Sequence, residues 1–291
     1  MIHALSGATI NYYHRPMTTL DSSLLGKATV YAVRYDPDLL FPILRASKRE
    51  EMGVGMPLPF HGVDLWNAYE LSWLDSCGKP QLAVAEFRIP ATSPYLIESK
   101  SLKLYLNSFS QEPISSAEVV HARLQRDLSA AAAQMVEVML YPARTDGHRF
   151  SDLAGTSIDD IVVRIDDYGP PQAGYLCVDT TGGVTEEVLV SDLLRSNCPV
   201  TGQPDWASIQ IAYHGKPMSR EGLLRYLISF RTHSEFHEQC VERIFMDIHT
   251  RCVPQYLAVY ARYTRRGGLD INPYRSSRLG DMPKNLRCAR Q

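Results

Sequence analysis

Polar and apolar positions alternate along two stretches of the first half, residues 66–74 (WNAYELSWL) and 81–89 (QLAVAEFRI). A period of two is the pattern of a strand with one buried face. Cys77-Gly78-Lys79-Pro80 between them predicts the turn of a hairpin. Residues 28–35 (ATVYAVRY) predict an earlier strand, closed by Asp36-Pro37. After Pro94 the spacing changes. Leu102, Tyr105 and Phe109 recur at helical intervals, so a helix begins near Glu98, and Glu98, Ser99 and Lys100 sit among its unpaired N–H groups. Ser115, three residues before Glu118, has the capping-box pattern of a second helix, with Val120, Leu124, Leu128 and Met135 as its apolar stripe. Residues 136–141 return as a strand.

In the second half, residues 161–165 and 174–178 are strand-like, and Leu193-Leu194 leads into a loop, SNCPVTGQPD, at residues 196–205. Residues 206–213 predict a strand, Gly215-Lys216-Pro217 a turn, and residues 223–230 another strand. HSEFHEQCVERIFMDI predicts a helix and residues 256–263 a last strand, before TRRGGLDINPYRSS and a basic tail.

The two halves look like one unit used twice. Each has a strand, a Gly-Lys-Pro turn, a second strand and then a helix opened by a glutamate, Glu98 or Glu238. The order predicts an α+β fold, antiparallel sheets with helices on one face. Residues 1–25 form an extension without periodicity, residues 26–146 a first module and residues 158–291 a second. The copies differ in their polar groups. Only the second has a cysteine in its loop and a histidine before the glutamate, and only the first follows the glutamate with Ser-Lys. Different groups retained in each copy point to one composite site.

Composition removes several classes of function. A formal charge of −2 gives no general electrostatic reason to bind nucleic acid or an acidic membrane. No signal-peptide core or membrane-spanning run is present, and the six cysteines form no CxxC pair, so a cytoplasmic protein with reduced thiols is expected. The GxG at residues 53–55 lacks the third glycine and the strand–helix setting of a dinucleotide fingerprint.

Cys198 lies in a loop closed by two prolines and a glycine, seven residues before Asp205. A thiol beside an acid suits covalent addition to an electrophilic carbon, although a loop thiol and a turn carboxylate have the same appearance. Glu98 and Glu238 can each accept two parallel N–H bonds, as from a guanine-like edge, or serve the helix dipole alone. His233 and His237 stand four apart, but HSEFH does not match the HExxH of a zinc site. Arg265, Arg266, Gly267 and Gly268 form a basic, flexible segment suited to phosphates or to a solvated tail.

Four separated segments, LIESKSLKLYLNSF, SNCPVTGQPDW, FHEQCVERIFMDI and YTRRGGLDINPYRSS, together resemble the bimodular NADPH-dependent 7-cyano-7-deazaguanine reductases. These are the QueF nitrile reductases of queuosine biosynthesis, a tRNA modification. The resemblance runs from about Gly26 to Ser277. It implies tandem tunnelling folds (T-folds), a homodimer, and reduction of a nitrile to an aminomethyl group with two NADPH and neither metal nor flavin. It further implies Cys198 as the nucleophile of a thioimide and Asp205 as proton donor. Ile97, Glu98, Ser99, His237 and Glu238 would hold the deazaguanine, and Ser99, Lys100, Arg266 and Gly267 would meet NADPH. Leu102 and Tyr95 depart from the family's usual aromatic and Asn. Two other classes remain: a zinc-dependent hydrolase or cyclohydrolase on the same fold, and a purine-binding module without catalysis.

Overall fold

The computed structural model describes residue 32 and residues 34–144 and 150–291. The chain is mixed α+β with sheets rich in antiparallel pairs. Pro42–Leu44 (β1) pairs with Tyr95–Ile97 (β4) as a small ribbon, with Arg45–Glu51 (α1) following β1 directly. The main sheet has eight strands. In the first half these are His61–Leu74 (β2), Pro80–Pro90 (β3) and Glu137–Pro142 (β5), with Ser99–Ser108 (α2) and Ala117–Ala132 (α3) between β4 and β5. The second half adds Thr156–Ser157 (β6), Thr185–Asn197 (β7), Pro204–Gly215 (β8), Tyr256–Tyr263 (β9) and Leu269–Ser276 (β10). Arg220–Ile228 (α4) and His237–Cys252 (α5) lie between β8 and β9. The spatial order is β5-β3-β2-β10-β9-β8-β7-β6, antiparallel throughout except at β6–β7.

The halves meet where β10 pairs with β2 along the whole register from Leu269↔Ala68 to Ser276↔His61. Alternation along each strand sorts its side chains between clusters. Trp66, Ala68, Phe87 and Leu269 pack with Leu102, Tyr105, Leu124 and Leu128 of α2 and α3. Ile209, Val259 and Tyr263 pack with Leu223, Tyr226, Ile244 and Phe245 of α4 and α5. Val63 and Leu65 join Ala258, Tyr260 and Tyr274 in a further cluster.

Under the seam lies a group of buried ions. Arg45 Nη2 donates to Asp64 Oδ2 at 2.5 Å, and Arg275 Nη1 lies 2.8 Å from Asp64 Oδ1. Glu242 accepts from Arg49 Nε and Nη2 at 2.9 and 2.7 Å and from Arg275 Nε and Nη2 at 3.1 and 2.8 Å. All five side chains are buried.

Several expectations fail for identifiable reasons. Residues 223–230 belong to the helix α4. Leu223, Leu224, Tyr226 and Leu227 bury one helical face, and Ser219 Oγ caps the start by accepting from Gly222 N. The Gly-Lys-Pro of the second half therefore joins a strand to a helix, whereas that of the first joins two strands. Glu98 and Glu238 consequently open helices at different positions in their halves, α2 being the first of its pair and α5 the second. Residues 161–165 form no strand. Ile161 and Val163 touch the core and Val162 is exposed, but no neighbouring strand takes the backbone bonds. Residues 174–178 hold part of a short 3₁₀ turn, Ala173–Tyr175, and an isolated bridge at Val178. Met135 lies beyond the end of α3 and is exposed. Most of residues 28–35 and the whole 1–25 extension fall outside the described residues, and Arg34 and Tyr35 are not in a strand.

Replacing Glu242 by Gln leaves Arg49 without its charge partner in the interior and Arg275 with Asp64 alone. We expect a loss of about 3–5 kcal/mol in urea-denaturation stability, far more than for an exposed pair such as Arg164–Asp166.

Candidate active site

The hairpin β7–β8 delivers the cysteine. Its last ladder pair is Asn197↔Pro204, and the loop between is closed by Cys198 N donating to Gln203 O at 2.8 Å and Gly202 N to Cys198 O at 3.0 Å. Gly202 turns the chain at φ +66°, where a Cβ is disfavoured. The loop is also tied sideways. Asn197 N donates to His233 O at 2.8 Å and Glu235 N to Asn197 O at 3.1 Å, fastening it to the segment that leads into α5. Glu235 is buried and accepts from Arg243 Nε and Nη2, with His233 Nε2 at 3.0 Å and Lys48 Nζ at 3.4 Å. Burial acts to raise its carboxyl, but His233 and Arg243 outweigh it and bring it down to about 2. The positions of Cys198 and of the α5 start are thus set by one bonded unit.

A cavity of about 420 Å³ opens over the β2–β10 seam. From the second half it is lined by Cys198, Gln203, Asp205, Phe236, His237 and Glu238. Ile97, Ser99, Lys100 and Lys103 come from the β4–α2 junction, and Arg266, Leu269 and Asp270 from the β9–β10 turn. Sequence-predicted residues from four separated segments therefore share one wall.

Two carboxylates in this cavity are driven in opposite directions. Asp205 is buried, which raises its pKa. His237, with Nε2 3.3 Å from Oδ2, and Arg266, bonded to Oδ1, together overcome that and hold it below the ordinary value. The same guanidinium donates to Gln203 Oε1, so Arg266 spans the cysteine loop and the acid. Glu238 is pushed up to about 7, first by burial and then by the negative charge of Asp64, against His237 and Arg45. His237 is fixed between the two, stacked on Tyr263 with ring centroids 3.9 Å apart.

Glu98 behaves differently from the expectation of a wall residue. Its carboxylate caps α2, accepting from Lys100 N at 2.7 Å and Ser101 N at 2.8 Å, and it is not in the cavity lining. The same geometry presents Ser99 and Lys100 to the cavity. Lys103 follows one turn later and was missed in the sequence, although its spacing from Ser99 and Lys100 places it on the same helical face. Burial depresses the pKa of its amine, reinforced by Arg266 and opposed by Glu98, Asp205 and Cys198. Gly267 is not in the lining but leaves room for the Lys103 stem. A Cβ there would stand 3.3 Å from Lys103 Cδ and Cε, and φ is +56°. Arg265 turns away to lie over the Tyr69 ring. Asp270, also missed, accepts from Asn67 Nδ2, Asn272 Nδ2 and Tyr69 OH at 2.7, 2.6 and 2.5 Å.

His233 and His237 do not converge, one facing Glu235 and the other Asp205. Among the described residues no group of three or more His, Cys, Asp or Glu is placed to hold a metal ion. None of the helices among them is long and apolar enough to cross a membrane.

A raised carboxyl stabilises the folded state below its unfolded pKa, and this stabilisation is lost as pH rises through the folded value. For Glu238 that window runs from 4.5 to about 7. Glu238→Gln should therefore raise Tm at pH values above the window and change it little at its acid end, as read by thermal melts across that range.

The chain matches the family described as "Nitrile reductase, 7-cyano-7-deazaguanine-reductase N-term" over residues 31–140 and the "QueF-like protein" family over residues 204–280. It is 55% identical to the NADPH-dependent 7-cyano-7-deazaguanine reductase of Bordetella avium, over 94% of this chain and 99% of that one. It is 56% identical to the protein of the same name from Burkholderia mallei, over 93% and 99% of the two chains. A solved apo structure of an archaeosine synthase QueF-Like overlays on 35% of this chain and 98% of its own at 16% identity, with a TM-score of 0.29, too loosely to bear on the fold. At 55–56% identity sustained over 93–94% of its length, the chain belongs to the 7-cyano-7-deazaguanine reductase family of nitrile reductases.

Proposed function

We propose that this protein reduces the nitrile of 7-cyano-7-deazaguanine to the 7-aminomethyl group in queuosine biosynthesis, drawing on two NADPH per turnover. The observation that carries the reading is the meeting of Cys198, Asp205, His237 and Glu238 around one cavity with the cations Lys100, Lys103 and Arg266 at its side. Glu238, as a carboxylate, accepts from N1–H and the 2-amino group of the base, with His237 beside it. Ile97 and Ser99 close the opposite side. Glu98 holds Ser99 in place through its cap. Its own contact with the base requires its carboxylate to leave two backbone amides.

The Cys198 thiol gives up its proton to the Asp205 carboxylate as its sulfur adds to the nitrile carbon, and the same proton passes on to the nitrile nitrogen, giving a thioimide. Asp205 is the donor in this reading, yet the Arg266 and His237 contacts keep it ionised. It would hold the thiol's proton once the base covers the cavity, because burial then weighs more heavily against the charged form. Ser99, Lys100, Lys103 and Arg266 suit NADPH by charge and position, and Gly267 leaves space for the Lys103 stem beside them. When bound, that group supplies hydride to the carbon attached to sulfur. Four electrons separate nitrile from amine, hence two NADPH. The fold reading is a tandem pair of tunnelling modules, residues 26–146 and 158–291, with helices on one face, assembled as a homodimer in the cytoplasm.

NADPH absorbance with the nitrile added tests the reading. Wild type should consume NADPH and form an adduct detectable by intact mass, whereas Cys198→Ala should do neither. Full turnover by Cys198→Ala would sink the covalent route. Asp205→Asn should lose turnover while retaining substrate binding, measured by calorimetry. Binding of the nitrile without NADPH consumption by wild type would favour the purine-binding alternative.

A further inference from the structure

The buried charges beneath the seam continue the wall of the cavity. On β2, Asp64 and Trp66 are two residues apart and share a face, and Trp66 lines the cavity. On β10 the same alternation runs from Leu269 and Ile271 in the wall to Arg275 in the charge cluster. On α5, Glu238 in the wall lies one turn before Glu242, which accepts from Arg49 and Arg275. Arg45 follows Leu44, whose strand pairs with the one that ends in the wall residues Leu96 and Ile97. Arg45 Nε also donates to Ser93 Oγ at 3.2 Å, and its Nη2 is on Asp64.

The cluster holds three cations, Arg45, Arg49 and Arg275, against two carboxylates, Asp64 and Glu242. An ionised Glu238 balances it. The charged and titratable groups facing Glu238 are Asp64 from β2, Arg45 from α1 and His237 from its own helix, with Asp270 of β10 in the same cavity. Asp64 opposes ionisation of Glu238, and Arg45 favours it.

We propose that Asp64 and Arg45 are positioning residues that set, by opposed charges, the ionisation state in which Glu238 meets the substrate base. The proposal rests on the reading of Glu238 as the carboxylate that holds the base. Ionisation matters because the guanine-like edge offers two donors. A carboxylate accepts both, whereas a protonated acid sets its own O–H against one of them. An empty cavity keeps Glu238 near the balance point, so binding below it must release a proton and is weakened accordingly.

Calorimetric titration of 7-cyano-7-deazaguanine in a Cys198→Ala background isolates reversible binding from addition. The series adds Arg45→Met, Asp64→Asn and Glu238→Gln, between about pH 5.5 and 8.5, a range that brackets a carboxyl raised toward neutrality. With no other change, affinity should fall about tenfold per pH unit below a midpoint near 7. Arg45→Met should move that midpoint up and Asp64→Asn should move it down, each by about one pH unit, a typical effect of a neighbouring charge. Glu238→Gln should flatten the profile.

Arg45→Met leaves Arg49 and Arg275 against Asp64 and Glu242, a balanced set, so this variant should fold and decides the question even if Asp64→Asn does not. A general structural defect would lower affinity at every pH and leave the midpoint in place. If Glu238→Gln flattens the profile but Arg45→Met leaves the midpoint unmoved or shifts it down, Arg45 and Asp64 do not tune Glu238 and the proposal fails. If Glu238→Gln keeps the original profile, the assignment of Glu238 to the base fails first, and the proposal with it.

Discussion

Five buried ionic side chains are costly to leave without any partner, and that constraint ties the two halves of the chain together. Arg45 and Arg49 come from α1, Asp64 from β2, Glu242 from α5 and Arg275 from β10. Taking a charge out of water costs several kcal/mol, offset here only when the guanidinium forks and carboxylates meet in alignment. The set therefore specifies an arrangement more sharply than apolar packing does. Leucine against leucine can slide, whereas Arg275 between Asp64 and Glu242 cannot. The β2–β10 register and the seat of α5 on the seam follow from it, and the cavity lies over that seam.

Above the cluster, one cavity drives two carboxylates in opposite directions. Both are buried, so burial alone would raise both. Asp205 has a guanidinium and an imidazole on its oxygens, while Glu238 has Asp64 behind it and only partial compensation from His237 and Arg45. Arg266 is held by side chains of the loop it faces, Asp205 and Gln203, and not by the core. Moving it changes the electrostatics around Asp205 while the scaffold stays in place.

Much of the hairpins, α2, α3, β8 and α5 was legible from period, because each has one face in a core and one less buried, while β9, buried at seven of eight positions, was legible as an apolar and aromatic run. The elements that were missed break that rule. β10 is central and buried along all eight residues, yet it contains Asp270, Asn272, Pro273 and Arg275, and so reads as a polar tail. β7 has its alternation shifted by an irregularity between Ser191 and Leu194, which hid everything before Leu193. α4 is short and rich in Leu and Tyr, a composition that a strand shares. Of the residues that line the cavity, Cys198, Asp205, His237, Glu238, Ser99, Lys100 and Arg266 could be marked out in the sequence because each stood in a distinctive segment. Lys103 and Asp270 were not, since a lysine within a helix and an aspartate after a glycine pair have nothing local to mark them. Glu98 at a helix start suggested either a cap or a hold on a base edge, and its carboxylate bonds to Lys100 N and Ser101 N as a cap.

The backbone bonds between Asn197 and the His233–Glu235 segment have a consequence for selectivity. They fasten the loop that carries the thiol to the segment that leads into Glu238, with neither able to move without breaking two main-chain hydrogen bonds. The main-chain positions of Cys198 and of the start of α5 are thereby held relative to one another, and under the proposed function the cavity would work as a gauge. A ligand gripped at Glu238 presents its reactive carbon to Cys198 only if the span from its recognised edge to that carbon equals the gap. Selection by reach is then built into the main chain, independent of how tightly any side chain grips.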